Sequence, residues 1–126
     1  MPYKILIIDD EHLIRWSLEQ HLVKQGYQVA TAESAERGLK LIDETAPDLI
    51  LLDNCMPVMT GIQLLEKLHA REQRPKVIMI TAYDMAETAV KAMKLGAYDY
   101  LNKPFNLEEL TLMIKKALET EHTGPG

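Results

Sequence analysis

The sequence has little of the chemistry that marks secreted, membrane-bound or nucleic-acid-binding proteins. It contains one cysteine, Cys55, so no internal disulfide can form, and an unpaired thiol suits a reducing cytosol. Its 14 lysines and arginines stand against 19 aspartates and glutamates, and the resulting net charge of -5 offers no basic field for nucleic-acid phosphates. We therefore expect a cytoplasmic protein that makes no direct contact with nucleic acid.

Long apolar runs are also missing. The N-terminal run at residues 5–8 stops at Asp9 and Asp10, too early for a signal peptide, and no uncharged stretch approaches the length of a membrane span. Apolar residues make up 47% of the sequence and charged residues 26%, which is globular composition. We predict one domain at residues 1–120, and we interpret the turn-rich tail 121–126 as either a linker to a downstream output domain or a cloning remnant.

Short apolar runs alternate with segments of helical period. The runs predict five strands, at residues 4–9, 28–31, 48–53, 76–81 and 98–101. The first, third and fourth are almost continuously apolar, as in parallel strands covered on both faces. The pattern predicts an α/β protein with the flavodoxin-like (βα)5 sandwich, a five-stranded parallel sheet of order 2-1-3-4-5 with helices on both faces.

Two of the predicted helices carry specific expectations. In the last helix Asn106 can act as the N-cap, and one apolar stripe contains Leu107, Leu110, Ile114 and Leu118. In the Ala-rich fourth helix we predict an inner face made of Met85, Ala89, Val90 and Met93. Such a face would anchor the helix weakly and permit movement.

Polar side chains stand where the predicted strands end. Asp9 and Asp10 end the first strand and Asp53 ends the third, and in this strand order those two strands flank the point where ligands bind. Thr81 ends the fourth strand and Lys103 follows the fifth. We therefore expect all five side chains to meet at one edge of the sheet.

The expected cluster suits phosphate chemistry with a divalent cation. Adjacent carboxylates raise one another's pKa, and Mg²⁺, which binds through one or two carboxylates and phosphate oxygens, relieves the repulsion. A carboxylate such as Asp53 can attack a phosphoryl group if the metal and a cation absorb charge, and Lys103 and the Thr81 hydroxyl are placed for that. The thiol of Cys55 receives no role because hard Mg²⁺ prefers oxygen.

Each residue also has an ordinary structural interpretation. The aspartates after the first strand could end it at solvent, Asp53 and Lys103 could lie in plain turns, and Thr81 could serve strand propensity. Only their joint placement favours a functional site.

Five motifs with specific order and spacing contain these residues. They are Ile8-Asp9-Asp10-Glu11, Leu52-Asp53, Met56-Pro57 with Gly61, Ile80-Thr81-Ala82, and Lys103-Pro104. From about residue 3 to residue 118 the chain resembles a response-regulator receiver domain of two-component signalling. The stretch 81–100 is similar to receivers that head nitrogen-regulatory-type transcriptional activators.

The resemblance implies roles for the acidic residues. Asp53 would be the phosphoacceptor, and Mg²⁺ would be held by Asp10, Asp53 and the carbonyl of Cys55. Asp9 would act largely through a metal-bound water. Because the residue two places after the phosphoacceptor affects dephosphorylation in this family, Cys55 leaves the lifetime of the phosphorylated state open.

The resemblance also implies a switch. Thr81 would contact the phosphoryl oxygens, Lys103 would pair with them, and Tyr100 would swing inward behind Thr81, although Tyr100 could equally pack only against the last helix. Pro104 would follow a cis peptide, for which X-Pro bonds pay little.

By the same resemblance, a sensor histidine kinase would donate the phosphoryl group, and the signal would pass to an output domain or partner, with homodimer formation on phosphorylation. The chain would be a regulatory domain with Mg²⁺-dependent self-phosphorylation and self-dephosphorylation chemistry, not an enzyme. Three alternatives stay open: a Mg²⁺-dependent phosphatase with an aspartyl nucleophile, a flavodoxin-like electron carrier, and a receiver that no longer takes phosphate.

Overall fold

Strands and helices alternate throughout the computed structural model, which describes residues 2–71, 75–81 and 86–119. The strands are β1 (Lys4–Ile8), β2 (Gln28–Ala32), β3 (Leu49–Asp53), β4 (Lys76–Thr81) and β5 (Asp99–Asn102). The helices are α1 (His12–Lys24), α2 (Ala35–Thr45), α3 (Gly61–His69), α4 (Ala86–Lys94) and α5 (Leu107–Glu119). The predicted boundary at residue 120 and the tail 121–126 lie outside the described residues.

The five strands form one parallel sheet in the order β2-β1-β3-β4-β5, so the predicted flavodoxin-like fold is confirmed. The register aligns the carboxyl ends of the central strands, because Ile8 lies opposite Leu52 and Asp53 lies opposite Ile80. Residues that end β1, β3 and β4 therefore share one edge of the sheet.

Apolar side chains on the two faces of the sheet form two separate cores. Along β1, Leu6 and Ile8 face α2, α3 and α4, whereas Ile5 and Ile7 face α1 and α5. Because helices cover both faces of the sheet, the side chains on both sides of each central strand are buried and apolar. This explains the nearly continuous apolar runs of the sequence. No helix among the described residues is long and apolar enough to cross a membrane.

The Asn106 cap of α5 is confirmed. The side-chain oxygen of Asn106 accepts hydrogen bonds from the backbone N–H of Glu108 at 2.7 Å and of Glu109 at 3.2 Å. Of the predicted stripe, Leu110, Ile114 and Leu118 are buried in the core, whereas Leu107 is exposed at the start of the helix.

The predicted inner face of α4 is wrong for two of its members. Val90 is 53% exposed and Met93 is 47% exposed, while Ala92 is fully buried against the sheet. Val90 precedes Ala92 by two residues, and a helix turns about 200° over that step, so the two side chains point to opposite sides. Ala89 is half-buried, and Met85 lies outside the described residues.

Candidate functional site

Three carboxylates meet at the carboxyl edge of β1 and β3. Asp9 is 4% exposed and Asp53 is 2% exposed, whereas Asp10 faces solvent. One carboxylate oxygen from each lies within 4.8 Å of the others. The neighbouring strands thus bring together the three acids that the strand order predicts to be close.

Lys103, from the loop after β5, inserts its ammonium group among these acids. Its Nζ donates hydrogen bonds to Asp9 Oδ2 at 2.9 Å and to Glu11 Oε1 at 3.2 Å, and lies 3.6 Å from Asp53 Oδ1. The backbone N–H of Lys103 donates to the Thr81 carbonyl at 2.7 Å, which ties the loop to the end of β4. The expected cis peptide between Lys103 and Pro104 is present.

Charge in the pocket is incompletely balanced. Burial and then the nearby charge of Asp9 raise the pKa of Asp53 to about 6, against the opposing effects of Lys103 and the Cys55 N–H. Burial alone would lower the pKa of Lys103, but its hydrogen bond to Asp9 and the charges of Asp9 and Asp53 outweigh it and raise that pKa. A further positive charge, such as a metal ion, would therefore stabilise the ionised carboxylates of the pocket.

Thr81 and Cys55 border the phosphoacceptor candidate. Thr81, at the end of β4, is buried, and its Oγ1 lies 3.7 Å from the Cys55 Sγ. The Cys55 N–H donates to Asp53 Oδ1 at 3.2 Å. The Cys55 thiol, for which no role is predicted, thus contacts the hydroxyl of the predicted switch residue Thr81.

Tyr100 lies on β5 and faces the core shared with α2, α3 and α4. Its ring is half-buried, and in the register of the sheet it lies opposite Met79. The ring is therefore on the same face as α4, and its inward movement stays a prediction.

The loop from β3 to α3 is held against the site by backbone contacts. Gly61 packs so tightly that a Cβ there would lie 2.5 Å from the Asp53 carbonyl oxygen. The Asn54 side-chain oxygen accepts from the Ile62 N–H at 2.9 Å, and the Asn54 N–H donates to the Ile80 carbonyl at 3.2 Å. Asn54 is a positioning residue that the sequence analysis missed, because its partners are contributed by other elements.

Comparison with known proteins agrees with this geometry. The family model for the response regulator receiver domain matches residues 5–115. The chain belongs to the response-regulator receiver family. This receiver is 41% identical over 118 residues to the regulatory protein AtoC of Escherichia coli K12, covering 94% of the chain and 26% of AtoC. It is 36% identical to sporulation initiation phosphotransferase F of Bacillus subtilis 168, covering 94% of the chain and 95% of that protein.

Solved structures are similar over nearly the whole receiver. A CheY-like receiver domain protein from Methanospirillum hungatei superimposes with a TM-score of 0.92 at 36% identity, covering 98% of both chains. The receiver domain of NtrX from Brucella abortus gives 0.86 at 36% identity, covering 93% of this chain and 99% of that one. With AtoC, NtrX bears out the expected likeness to nitrogen-regulatory-type receivers, although the chain spans only about a quarter of AtoC.

The donor set of the receiver fits a magnesium ion. All three clustered acids offer carboxylate oxygens, the ligands that Mg²⁺ prefers, and the exposure of Asp10 leaves room for water and phosphate oxygens. The pocket's unbalanced negative charge favours the same ion. The predicted ligand roles of Asp9, Asp10, Asp53 and the Cys55 carbonyl are taken up below as proposals.

Two further residues touch the site without having been predicted to do so. Glu11 contacts Lys103, and the Arg15 guanidinium donates to the Asp9 carbonyl at 2.7 Å. The available signal was their position: Glu11 directly follows the acidic pair, and Arg15 lies one helical turn later.

Proposed function

We propose that this receiver is a phosphorylation-activated switch that accepts a phosphoryl group on Asp53 from a phosphohistidine of a sensor histidine kinase. The observation that carries the proposal is the placement of a buried Asp53 carboxylate beside two other acids, with the Lys103 ammonium 3.6 Å away. Such a carboxylate can act as the nucleophile toward a phosphoryl group when a cation and a metal ion absorb charge on the transferring oxygens.

In the proposed transfer an oxygen of Asp53 attacks phosphorus, the new P–O bond forms, and the P–N bond to the donor imidazole breaks with both electrons going to the imidazole. Asp9, Asp10, Asp53 and the Cys55 carbonyl would hold Mg²⁺, which when bound neutralises charge on the phosphoryl oxygens. Lys103 supplies a second positive charge, and the Thr81 hydroxyl donates to a phosphoryl oxygen.

The signal would leave the site through Thr81 and Tyr100. Movement of Thr81 toward the phosphoryl group would open space next to β5, and the half-buried Tyr100 ring would follow it. Among the described side chains of the adjoining α4, the small Ala92 is the one that is fully buried, so displacement of the helix would disrupt little of their apolar contact. The altered surface would then select an output domain or a second receiver.

Relatives support an output in transcription control. One relative, at 38% identity, is the DNA-binding transcriptional regulator NtrC of Klebsiella pneumoniae, of which this chain spans 24%. By analogy, this receiver would act in the cytoplasm and control a DNA-binding protein without touching DNA itself. The acidic net charge of -5 agrees with that division of labour.

The test is covalent labelling with a small phosphodonor and Mg²⁺, followed by intact-mass measurement. One phosphoryl group should be added to the wild-type chain and none to Asp53→Asn. Asp43→Asn, which alters an exposed aspartate on α2, is the matched control and should label normally. Retained labelling in Asp53→Asn would contradict the proposal, and repeated turnover of phosphate esters would favour a phosphatase instead.

A further inference from the structure

We propose that Glu11 is a positioning residue that holds the Lys103 ammonium in a resting position, and that this contact is released when the phosphoacceptor becomes charged with a phosphoryl group. The inference rests on the proposed function. It assigns Glu11 the task of favouring the unphosphorylated state, in competition with the phosphoryl oxygens for the same ammonium.

The Glu11 side chain is not used for helix capping, although the residue lies at the N-cap of α1. Glu11 occupies the N-cap position of α1 with an extended conformation, φ -87° and ψ 116°, yet its carboxylate accepts no capping hydrogen bond. Capping is the usual work of a polar side chain at this position. The carboxylate instead lies 3.2 Å from Lys103 Nζ, a residue 92 positions away in sequence.

The Lys103 ammonium divides its hydrogen bonds unequally. It donates hydrogen bonds to Asp9 at 2.9 Å and to Glu11 at 3.2 Å. Its contact with Asp53, at 3.6 Å, is an ion pair that is too long for a good hydrogen bond. The ammonium has three N–H groups, of which two donate to Asp9 and Glu11, so the third can donate to a phosphoryl oxygen. Movement of the ammonium toward a phosphoryl group on Asp53 would lengthen one of the two existing hydrogen bonds.

The difference in exposure between Asp9 and Glu11 indicates which of the two hydrogen bonds to Lys103 would break. The Asp9 side chain is 5% exposed, so losing the ammonium would leave a buried charge without its partner. The Glu11 side chain is 59% exposed, and water can replace the ammonium there at little cost. The Glu11 contact is thus the one that opens, while the Asp9 contact is kept.

The expected change in affinity is small because the Lys103–Glu11 ion pair is partly exposed to solvent. Disrupting it should tighten binding of a phosphoryl mimic by up to about fivefold, the upper end of what exposed pairs contribute. Glu11→Asp keeps the charge but shortens the side chain by one methylene group, which should lengthen the 3.2 Å contact with Lys103 beyond hydrogen-bond distance. Glu11→Gln removes the charge but leaves an amide oxygen that can still accept a hydrogen bond. Because the Glu11 side chain is 59% exposed, we expect the fold to tolerate both changes.

The experiment measures calorimetric affinity for beryllofluoride at saturating Mg²⁺, and affinity for Mg²⁺ alone, in the wild type and both variants. Glu66→Asp, on the exposed face of α3, is the control. We expect Glu11→Asp and Glu11→Gln to bind beryllofluoride more tightly, with Mg²⁺ affinity unchanged in Glu11→Asp and beryllofluoride affinity unchanged in the control.

Three results would overturn the inference while leaving the proposed function standing: no change in either variant, weaker binding, or a shift in Glu11→Gln alone, which would show that charge acts without contact. A wild-type chain that binds no beryllofluoride with Mg²⁺ would overturn the proposed function itself.

Discussion

The Lys103 ammonium lies 2.9 Å from a carboxylate oxygen of Asp9 but 3.6 Å from the nearest oxygen of Asp53. The buried phosphoacceptor candidate is therefore the less completely compensated of the two acids. Such an arrangement keeps one carboxylate oxygen available for bonding to phosphorus, and it makes the ionised form of Asp53 costly to the fold when no metal is bound.

That cost predicts a pH-dependent stability difference between the wild type and Asp53→Asn in the presence of a chelator. The pKa of Asp53 rises from 3.8 to about 6 on folding, so the folded state holds the proton more tightly and the wild type loses stability as pH rises through this window. Asparagine has no such loss. Urea unfolding should show Asp53→Asn more stable by about 1–3 kcal/mol at pH 7.5, with the advantage shrinking as the pH falls from about 6 to about 4. An advantage independent of pH would contradict this account.

Bound Mg²⁺ should offset the cost of the ionised Asp53 carboxylate and so stabilise the fold. Binding to the folded state alone stabilises a protein by about 2.7 kcal/mol at a ligand concentration 100 times Kd. We expect Mg²⁺ to raise the unfolding midpoint of the wild type and of the surface control Asp43→Asn, and to have much less effect on Asp10→Asn. Equal stabilisation of all three chains would show that the ion binds elsewhere.

Replacing Lys103 by methionine should destabilise the metal-free fold and strengthen Mg²⁺ binding. The buried carboxylates of Asp9 and Asp53 would lose their cation, and breaking such a buried pair costs about 3–5 kcal/mol. The ion would then meet a more negative pocket. Chemical unfolding and Mg²⁺ titration of Lys103→Met measure the two effects. Unchanged Mg²⁺ affinity would show that the charge of Lys103 does not affect binding of the ion.

Gly61→Ala should disturb the phosphoacceptor more than another buried glycine change does. The added Cβ would lie 2.5 Å from the Asp53 carbonyl oxygen, so the backbone must move, and overpacking of this kind costs about 1–3 kcal/mol. In Gly38→Ala the Cβ would meet the flexible end of Ile8, 2.5 Å away. We expect slower phosphoryl labelling in Gly61→Ala and near-normal labelling in Gly38→Ala; similar rates would refute the positional argument.

How far the sequence predicts the structure depends on the range of the interactions. The strands and the convergence of Asp9, Asp10 and Asp53 follow from local apolar patterns and strand order, because a parallel sheet places strand ends side by side. The inner face of α4 could not be read in the same way. Alanines weaken the contrast between faces, so the pattern favoured Val90 and Met93 as internal, although Ala92 is the buried residue among the described side chains of α4.

The contacts of Glu11 and Asn54 show the other limit. Each depends on a partner supplied by a different element: Lys103 after β5 for Glu11, and Ile62 in α3 together with Ile80 in β4 for Asn54. A residue's position beside a motif marks it as a candidate, but only the folded geometry shows what its side chain reaches.

The most direct measurement of the central claim is to locate the phosphoryl group. After labelling with a small phosphodonor and Mg²⁺, borohydride reduction converts an aspartyl phosphate to homoserine, which peptide mass spectrometry can place at a single residue. We predict conversion at Asp53, with Asp9 and Asp10 unmodified. Homoserine at another aspartate, or a stable phosphate on a serine, threonine or histidine with Asp53 unchanged, would contradict the account.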